Sequence, residues 1–303
     1  MDIAITIFVY NRISTLTKML ESLRHCRGLE KHDIFFFSDG YKDKTDAIKV
    51  GRVREIIHSF LDNELKKKGT IIERTENLGL ARSVISGVGE VLEQYDAIIC
   101  IEDDLIFSED FLEYMDSALE KFKDDNRVWA ISGYCQKLNC LDDINANSFI
   151  SYRSSSWGWG SWKERWNNVD WDVTDYAKFE KSSELRKSFG KWGKDMPYLL
   201  DLQMRKVIDS WAIRWCYSQW KKNMFTVFPT ETRVKNIGEA NEATHTKKLG
   251  KQQFLAKDHK KIEKYDLLLD ERIMDEFSKY CHVSVWKVKI KCFLADYLNI
   301  YLR

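Results

Sequence analysis

Several familiar signatures are missing from this chain of 303 residues. Its seven cysteines are odd in number and include no C-x-x-C pair. A disulfide framework or a zinc site is therefore not expected, and free thiols in a reducing compartment are. Neither sign of charge is in excess, with 48 basic and 47 acidic residues, so no surface dedicated to nucleic acid is expected. No run approaches the roughly 18 apolar residues of a membrane span. Met1-Asp2-Ile3 enters directly into an apolar stretch with no basic segment before it, so no signal peptide is expected and a cytoplasmic location is the default. Neither G-x-G-x-x-G nor G-x-x-x-x-G-K-[ST] occurs where a nucleotide fold would carry it, which disfavours a dinucleotide site and a P-loop. No internal repeat and no low-complexity linker is found. What remains, at 44% hydrophobic and 31% charged residues, is a globular chain of one large domain or two small ones.

The most informative stretch is Ala97 to Phe107. Ala97-Ile98-Ile99-Cys100-Ile101 is an unbroken apolar run suited to a strand buried on both faces. Three acids, Glu102-Asp103-Asp104, follow at once. Ser108 is then a good helix N-cap, with Glu109 and Asp110 in the first turn and Phe111, Leu112, Met115, Ala118, Leu119 and Phe122 at helical spacing. Adjacent carboxylates where a buried strand emerges repel one another. A divalent cation relieves this, and Mg²⁺ or Mn²⁺ sharing oxygen ligands with a substrate diphosphate is the usual form. A solvated acidic turn is the plainer alternative.

Apolar strands and amphipathic helices alternate from residue 1 to about 134. Strands are expected at Ile3–Tyr10, Ile34–Phe37, Thr70–Ile72, Ala97–Ile101 and Val128–Ser132, with helices between the first four. This is the pattern of an α/β fold with a mostly parallel sheet. Polar residues gather at the strand ends: Asn11 and Arg12, Ser38 and Asp39, Asn77 and Arg82, and Glu102 to Asp104. In such sheets ligands bind outside the carboxyl ends of the strands.

Beyond residue 135 the texture changes. Ser156-Trp157-Gly158-Trp159-Gly160-Ser161-Trp162 interleaves aromatics with glycines. Glycine permits close approach of backbone to a ligand, and aromatic faces stack on sugars or bases; core packing under a loop is the alternative. Asp195 to Trp220 reads as one helix, with Asp209 at the edge of an apolar stripe of Met204, Val207, Ile208, Trp211, Ala212 and Trp215. Such a carboxylate is either a base with a tuned pKa or a surface acid. Met224 to Phe228 is a late strand ending at Pro229, and 233–248 is polar and loop-like. There His245 is either exposed or a metal ligand. The tail from Val283 to Arg303 mixes Trp286, Val288, Ile290, Phe293 and Leu294 with Lys287, Lys289 and Lys291. It either docks as a terminal helix or lies on a membrane surface.

Four motifs in order resemble those of nucleotide-sugar glycosyltransferases of the A-type fold. They are Tyr10-Asn11-Arg12 after the first strand, Ile101-Glu102-Asp103-Asp104, Gly158-Trp159-Gly160, and Asp209-Ser210-Trp211. The likeness covers roughly residues 1 to 248 and is nearest to bacterial sugar transferases distantly similar to N-acetylglucosaminyltransferase I. It implies a Rossmann-like, mostly parallel sheet, with a nucleotide-sugar-binding half at 1–134, an acceptor-side half of the same domain at 135–250, and a helical extension at 251–303. It implies an inverting, metal-dependent transfer of a hexosyl or N-acetylhexosaminyl group from a nucleotide-diphosphate donor, most simply a UDP-sugar, to a hydroxyl of a glycan or glycolipid in polysaccharide assembly. Asp104 would ligate Mn²⁺ or Mg²⁺, completed by His245. Glu102 and Asp103 would contact the donor's ribose or sugar, Tyr10, Arg12 and Asp39 would line the nucleotide pocket, and Arg82 would approach the phosphates or the donor sugar. Trp157, Gly158, Trp159 and Gly160 would form the loop between donor and acceptor, and Asp209 would be the general base. In the relative two acids precede the tryptophan, whereas this chain has Asp209-Ser210. Two other readings remain at this point: a sugar-phosphate nucleotidyltransferase, which wants a glycine-rich basic loop that Asn11-Arg12-Ile13-Ser14 does not supply, and a non-catalytic nucleotide-sugar- or carbohydrate-binding protein.

Overall fold

The computed structural model describes residues 1–65, 69–238, 255, 265–279 and 284–298. The first half alternates as its apolar periodicity predicts: β1 (Ile3–Val9), α1 (Ile13–Arg24), β2 (Ile34–Ser38), α2 (Lys44–Phe60), β3 (Gly69–Glu73), α3 (Leu80–Leu92), β4 (Ala97–Glu102), β5 (Leu105–Phe107), α4 (Phe111–Phe122) and β6 (Val128–Ser132). The second half adds β7 (Ser148–Ser151), β8 (Trp159–Trp162), α5 (Lys163–Asn167), α6 (Tyr176–Lys181), α7 (Ser183–Phe189), α8 (Met196–Met204), α9 (Trp211–Lys221), β9 (Phe225–Pro229) and β10 (Val234–Asn236). Near the C-terminus lie α10 (Glu271–Lys279) and α11 (Val285–Leu298).

One eight-stranded sheet runs in the order β3-β2-β1-β4-β8-β6-β9-β7. The contacts β3/β2, β2/β1, β1/β4 and β6/β9 are parallel, while β8 and β7 run antiparallel to their neighbours. This is the mostly parallel, helix-flanked sheet expected of an α/β fold. Strand alternation sorts the core onto two faces. Ile5, Ile7, Val9, Ile99 and Ile101 pack with Leu16, Met19 and Leu20 of α1, Val53 and Ile57 of α2, and the apolar stripe of α4. Ala4, Phe8, Phe37, Ile98 and Cys100 pack with Ala81, Val84 and Val88 of α3 and with Trp159, Trp166, Trp211 and Trp215. Because both faces are covered, β1 and β4 read as continuous apolar runs.

Register then fixes the working edge. Val9 pairs with Ser38, Ser38 with Glu73, and Phe8 with Glu102. Residues 10–12, 39–40 and 103–104 therefore leave the sheet side by side.

Several elements differ from their sequence expectation. The helix expected over 195–220 is two helices. Lys206 adopts a positive φ of 58°, Ser210 accepts the N–H of Ile213 as the cap of α9, and Gln203 takes the N–H of Ser210. An apolar stripe carries no mark of that interruption, so Asp209 lies in a turn rather than on a helix. Helix α4 starts at Phe111, and Ser108 donates to the Asp110 carboxylate at 2.6 Å instead of capping it. Leu105-Ile106-Phe107 form a short strand because β10 pairs with them.

Candidate active site

The site is built where β1, β2 and β4 end. Arg12 begins the turn into α1 and forks across two consecutive carboxylates. Its Nη2 meets Asp103 Oδ1 and its Nη1 meets Asp104 Oδ2 at 2.8 Å. The N–H of Tyr10 adds a long bond of 3.4 Å to Asp103 Oδ2. Asp103 and Asp104 are 2% and 6% exposed, so the guanidinium is a necessary counter-ion. Burial works against its charge, but the two carboxylates outweigh it and hold Arg12 firmly protonated. Burial pushes Asp103 up to about 6, an effect Arg12 offsets only in part. Glu102, half-buried at the end of β4, is raised well above the usual carboxylate range by burial and then by the charge of Asp104.

One guanidinium thus serves three carboxylates, and one oxygen is left over. Asp104 Oδ1 is buried with no hydrogen-bond partner. An orphaned carboxylate oxygen is costly, and it fits one Mg²⁺ or Mn²⁺ ligand. Among the described residues no group of three or more His, Cys, Asp and Glu side chains is placed to hold a metal ion. The described residues thus offer a cation one buried carboxylate oxygen, and few protein ligands are usual for Mg²⁺. His245, the second expected ligand, lies outside the described residues.

The chain returns to Asp104 after β10. Ile237 donates its N–H to the Asp104 carbonyl at 2.8 Å. A β-carbon on Gly238 would stand 2.7 Å from Asp104 Oδ2 and 3.1 Å from Asn236 Oδ1, so any larger residue would have to displace the Asp104 carboxylate. Buried Arg233 anchors this return: it bonds Asp110 at 3.0 Å and lies 4.5 Å over the Tyr114 ring.

The neighbouring loops are tied as tightly. Asp39 accepts three backbone N–H groups, from Gly40 at 3.0 Å, Leu78 at 2.9 Å and Gly79 at 2.9 Å. It clips the loop after β2 to the one before α3. Arg54 reinforces it, bonding Ser38 Oγ at 3.0 Å and the Arg74 carbonyl at 2.7 Å. Asp46, on the first turn of α2, receives the Tyr10 hydroxyl and the Asn11 amide, and Lys42 sits 5.6 Å over the Tyr10 ring. Arg82 is exposed on the first turn of α3 and bonds the Leu78 carbonyl at 3.2 Å. Asp209 reaches the same edge from the other half. Its Oδ2 lies 3.8 Å from where a β-carbon of Gly79 would be, and Arg214 is 3.9 Å away.

The tryptophan–glycine stretch is largely not a ligand loop. Trp159 and Gly160 belong to β8, inside the sheet, with Trp159 only 1% exposed. Trp159 packs on Trp166, Trp211 and Trp215 at ring distances of 5.8, 5.2 and 5.4 Å. The glycines admit protein rather than ligand: a β-carbon on Gly160 would meet the Ile98 carbonyl at 2.8 Å, and one on Gly158 would meet Val234 at 2.8 Å. Trp157, half-buried and edge-on to Tyr134 at 4.6 Å, is the member left near the surface. Asp46, Arg54, Arg233 and Gly238 were not singled out from sequence. Each faces a partner distant in sequence, as Arg233 does Asp110 and Gly238 does Asp104, and only Asn236-Ile237-Gly238 carried a visible turn signature.

Residues 4–139 match the family model described as Glycosyl transferase family 2. That segment contains Tyr10, Arg12, Asp39, Arg82 and Glu102–Asp104 but ends before Asp209. A comparison with curated proteins found no match. Among solved structures, the chain is similar to S. aureus TarS 1-349 in complex with UDP-GlcNAc, with 13% identity over 46% of this chain and 36% of that one and a TM-score of 0.35. It is also similar to the mannosyltransferase PcManGT from Pyrobaculum calidifontis in complex with GDP-Man and Mn²⁺, with 15% identity over 54% and 44% and a TM-score of 0.39. GalNAc-T7 with UDP, GalNAc and Mn²⁺ gives 10% identity over 77% and 43% and a TM-score of 0.49. The chain thus spans about a third of the length of the first of these.

Proposed function

We propose, from the glycosyl transferase family 2 match over residues 4–139, that the protein is a glycosyltransferase. It moves a sugar from a nucleotide-diphosphate donor, most simply a UDP-sugar, to a hydroxyl of a glycan or glycolipid by an inverting, metal-dependent displacement. The observation that carries this reading lies inside the matched segment: the buried, partnerless Asp104 Oδ1 beside a guanidinium able to face phosphate. A Mn²⁺ or Mg²⁺ on Asp104, with His245 as the further protein ligand, would offset charge on the departing diphosphate. Arg12 holds Asp103 and Asp104 in place and offers its free edge to the same phosphates, with exposed Arg82 approaching from α3. Tyr10 and the loops clipped by Asp39 line the nucleotide pocket. Glu102 and Asp103 face the donor's ribose or sugar, and Trp157 flanks the acceptor. In the reaction the acceptor oxygen bonds to the anomeric carbon, the bond from that carbon to the diphosphate oxygen breaks, and Asp209 takes the hydroxyl proton. No covalent nucleophile is required. Residues 1–134 are the donor half and 135–250 the acceptor half of one domain.

A donor-binding protein without transfer is the second reading, favoured by the ending of the matched segment before Asp209. A panel of nucleotide sugars with Mn²⁺ tests both. One or two donors should raise the melting temperature or be slowly hydrolysed, and silence from every donor, with and without metal, would remove both readings. Asp104→Ala should abolish metal-dependent donor binding, because loss of even outer-shell partners costs about 10- to 100-fold. Normal binding by that variant would overturn the metal assignment.

A further inference from the structure

The helix α11 has two apolar stripes, and one of them is buried against the body. Val288 and Ala295, 5% and 7% exposed, pack with Cys292 against Leu202 and Val207 beside Tyr198 and Ile208. Arg205 fixes the helix further with two bonds of 2.9 Å to Asp296. At 100° per residue, Trp286 and Ile290 fall on the opposite side. They are 69% and 40% exposed. Lys289 flanks this outward stripe on one side, and Lys287 and Lys291 flank it on the other. The one acid of the helix, Asp296, is engaged by Arg205.

We infer that α11 is a docking helix for an anionic membrane surface. A tryptophan and a branched aliphatic side chain standing in water between lysines match the layered chemistry of a bilayer surface: apolar groups reach the acyl boundary, and lysine stems run up to anionic headgroups. A second copy of the chain is a poorer occupant, because pairing two such faces would set lysine rows against each other with no acid on the stripe to answer them. The buried stripe keeps the helix on the body, so the protein would lie on the bilayer rather than dangle from a tail. No helix among the described residues is long and apolar enough to cross a membrane, so this contact is peripheral. The inference is independent of the transferase reading, since no α11 residue contributes to the carboxylate edge.

The full chain is tested by co-sedimentation with phosphatidylcholine vesicles, with and without phosphatidylglycerol. It should pellet with the anionic vesicles, stay largely in solution with phosphatidylcholine alone, and be released by salt. Trp286→Ser with Ile290→Ser should weaken binding at least about 10-fold. Lys287, Lys289 and Lys291 together changed to Gln should weaken it roughly 100-fold at low salt, at about 5-fold per lysine. Both variants alter outward side chains only, and their melting temperatures should match the parent. Absence of binding by the parent chain overturns the inference, as does undiminished binding by both variants. A dimer in light scattering that the Trp286/Ile290 change dissolves would make the stripe an interface between copies and overturn it equally.

Discussion

Asp103 and Asp104 are almost fully buried and forked by Arg12, whereas Asp209, beside Gly79, is 60% exposed and reaches Arg214 only at 3.9 Å. Both stand at the carboxyl edge of one sheet. The first group is fixed before any ligand arrives, at the expense of burying charge. Such a cost is sustained where a site must present oxygens and a cation in one geometry. The second stands open to solvent, as its proposed role as a base reaching an acceptor hydroxyl requires. The proposed donor side is therefore rigid and the proposed acceptor side adaptable, and the two carboxylate types should fail differently when altered.

The largest contrast is expected in rate. Asp209→Asn should lower transfer by about 10²- to 10⁴-fold while leaving donor binding intact and stability within about 0.5 kcal/mol. Steady-state transfer, a donor titration and urea melts on the same sample read all three. Undiminished transfer would move the base elsewhere, and lost donor binding would erase the contrast. Next comes stability. Arg12→Met strands two buried carboxylates and should cost about 3–5 kcal/mol. Adding Asp103→Asn should recover a large part, as a double-mutant cycle in urea would report; purely additive losses would mean that the fork is incidental. The smallest effect comes from a buried pair away from this edge. His32 bonds the Ile3 carbonyl at 3.0 Å and Asp116 at 3.2 Å. Burial alone would lower its pKa, but Asp116, through its hydrogen bond and charge, and the carbonyl together raise it. Its stabilisation is thus fully present below the unfolded value near 6.5 and lost as pH rises through the higher folded value. His32→Phe should cost about 1 kcal/mol more at pH 5.5 than at pH 8.5, with donor binding unchanged. A flat difference across that range would show the pair to be uncharged, and altered donor binding would tie it to the site.

The first half was readable because its signals are local. Apolar strand, polar end and amphipathic helix repeat within short windows, and Glu102-Asp103-Asp104 follow their strand directly. The second half was not. Its glycines and tryptophans pointed to a ligand loop, yet Gly160 makes room for the Ile98 carbonyl and Trp159 for three other indoles. Ile98 lies some sixty positions away on another strand, and Trp211 and Trp215 lie about fifty away on α9. The break at Lys206 to Ser210 escaped notice for a related reason: capping by Ser210 and Gln203 overrides an apolar stripe that continues across it.

The amino-acid order by itself determined the parallel α/β half, the place where its strands end, and the acids that stand there, because hydrophobic periodicity and strand termini are written in neighbouring residues. Only the folded chain decided that Arg12 neutralises Asp103 and Asp104, that Asp104 keeps one oxygen without a partner, and that Asp46 and Asp39 lock the surrounding loops. Those contacts join residues 35 to 92 positions apart. Their charge balance and burial exist only when β1, β2 and β4 lie side by side, so no window of sequence contains them.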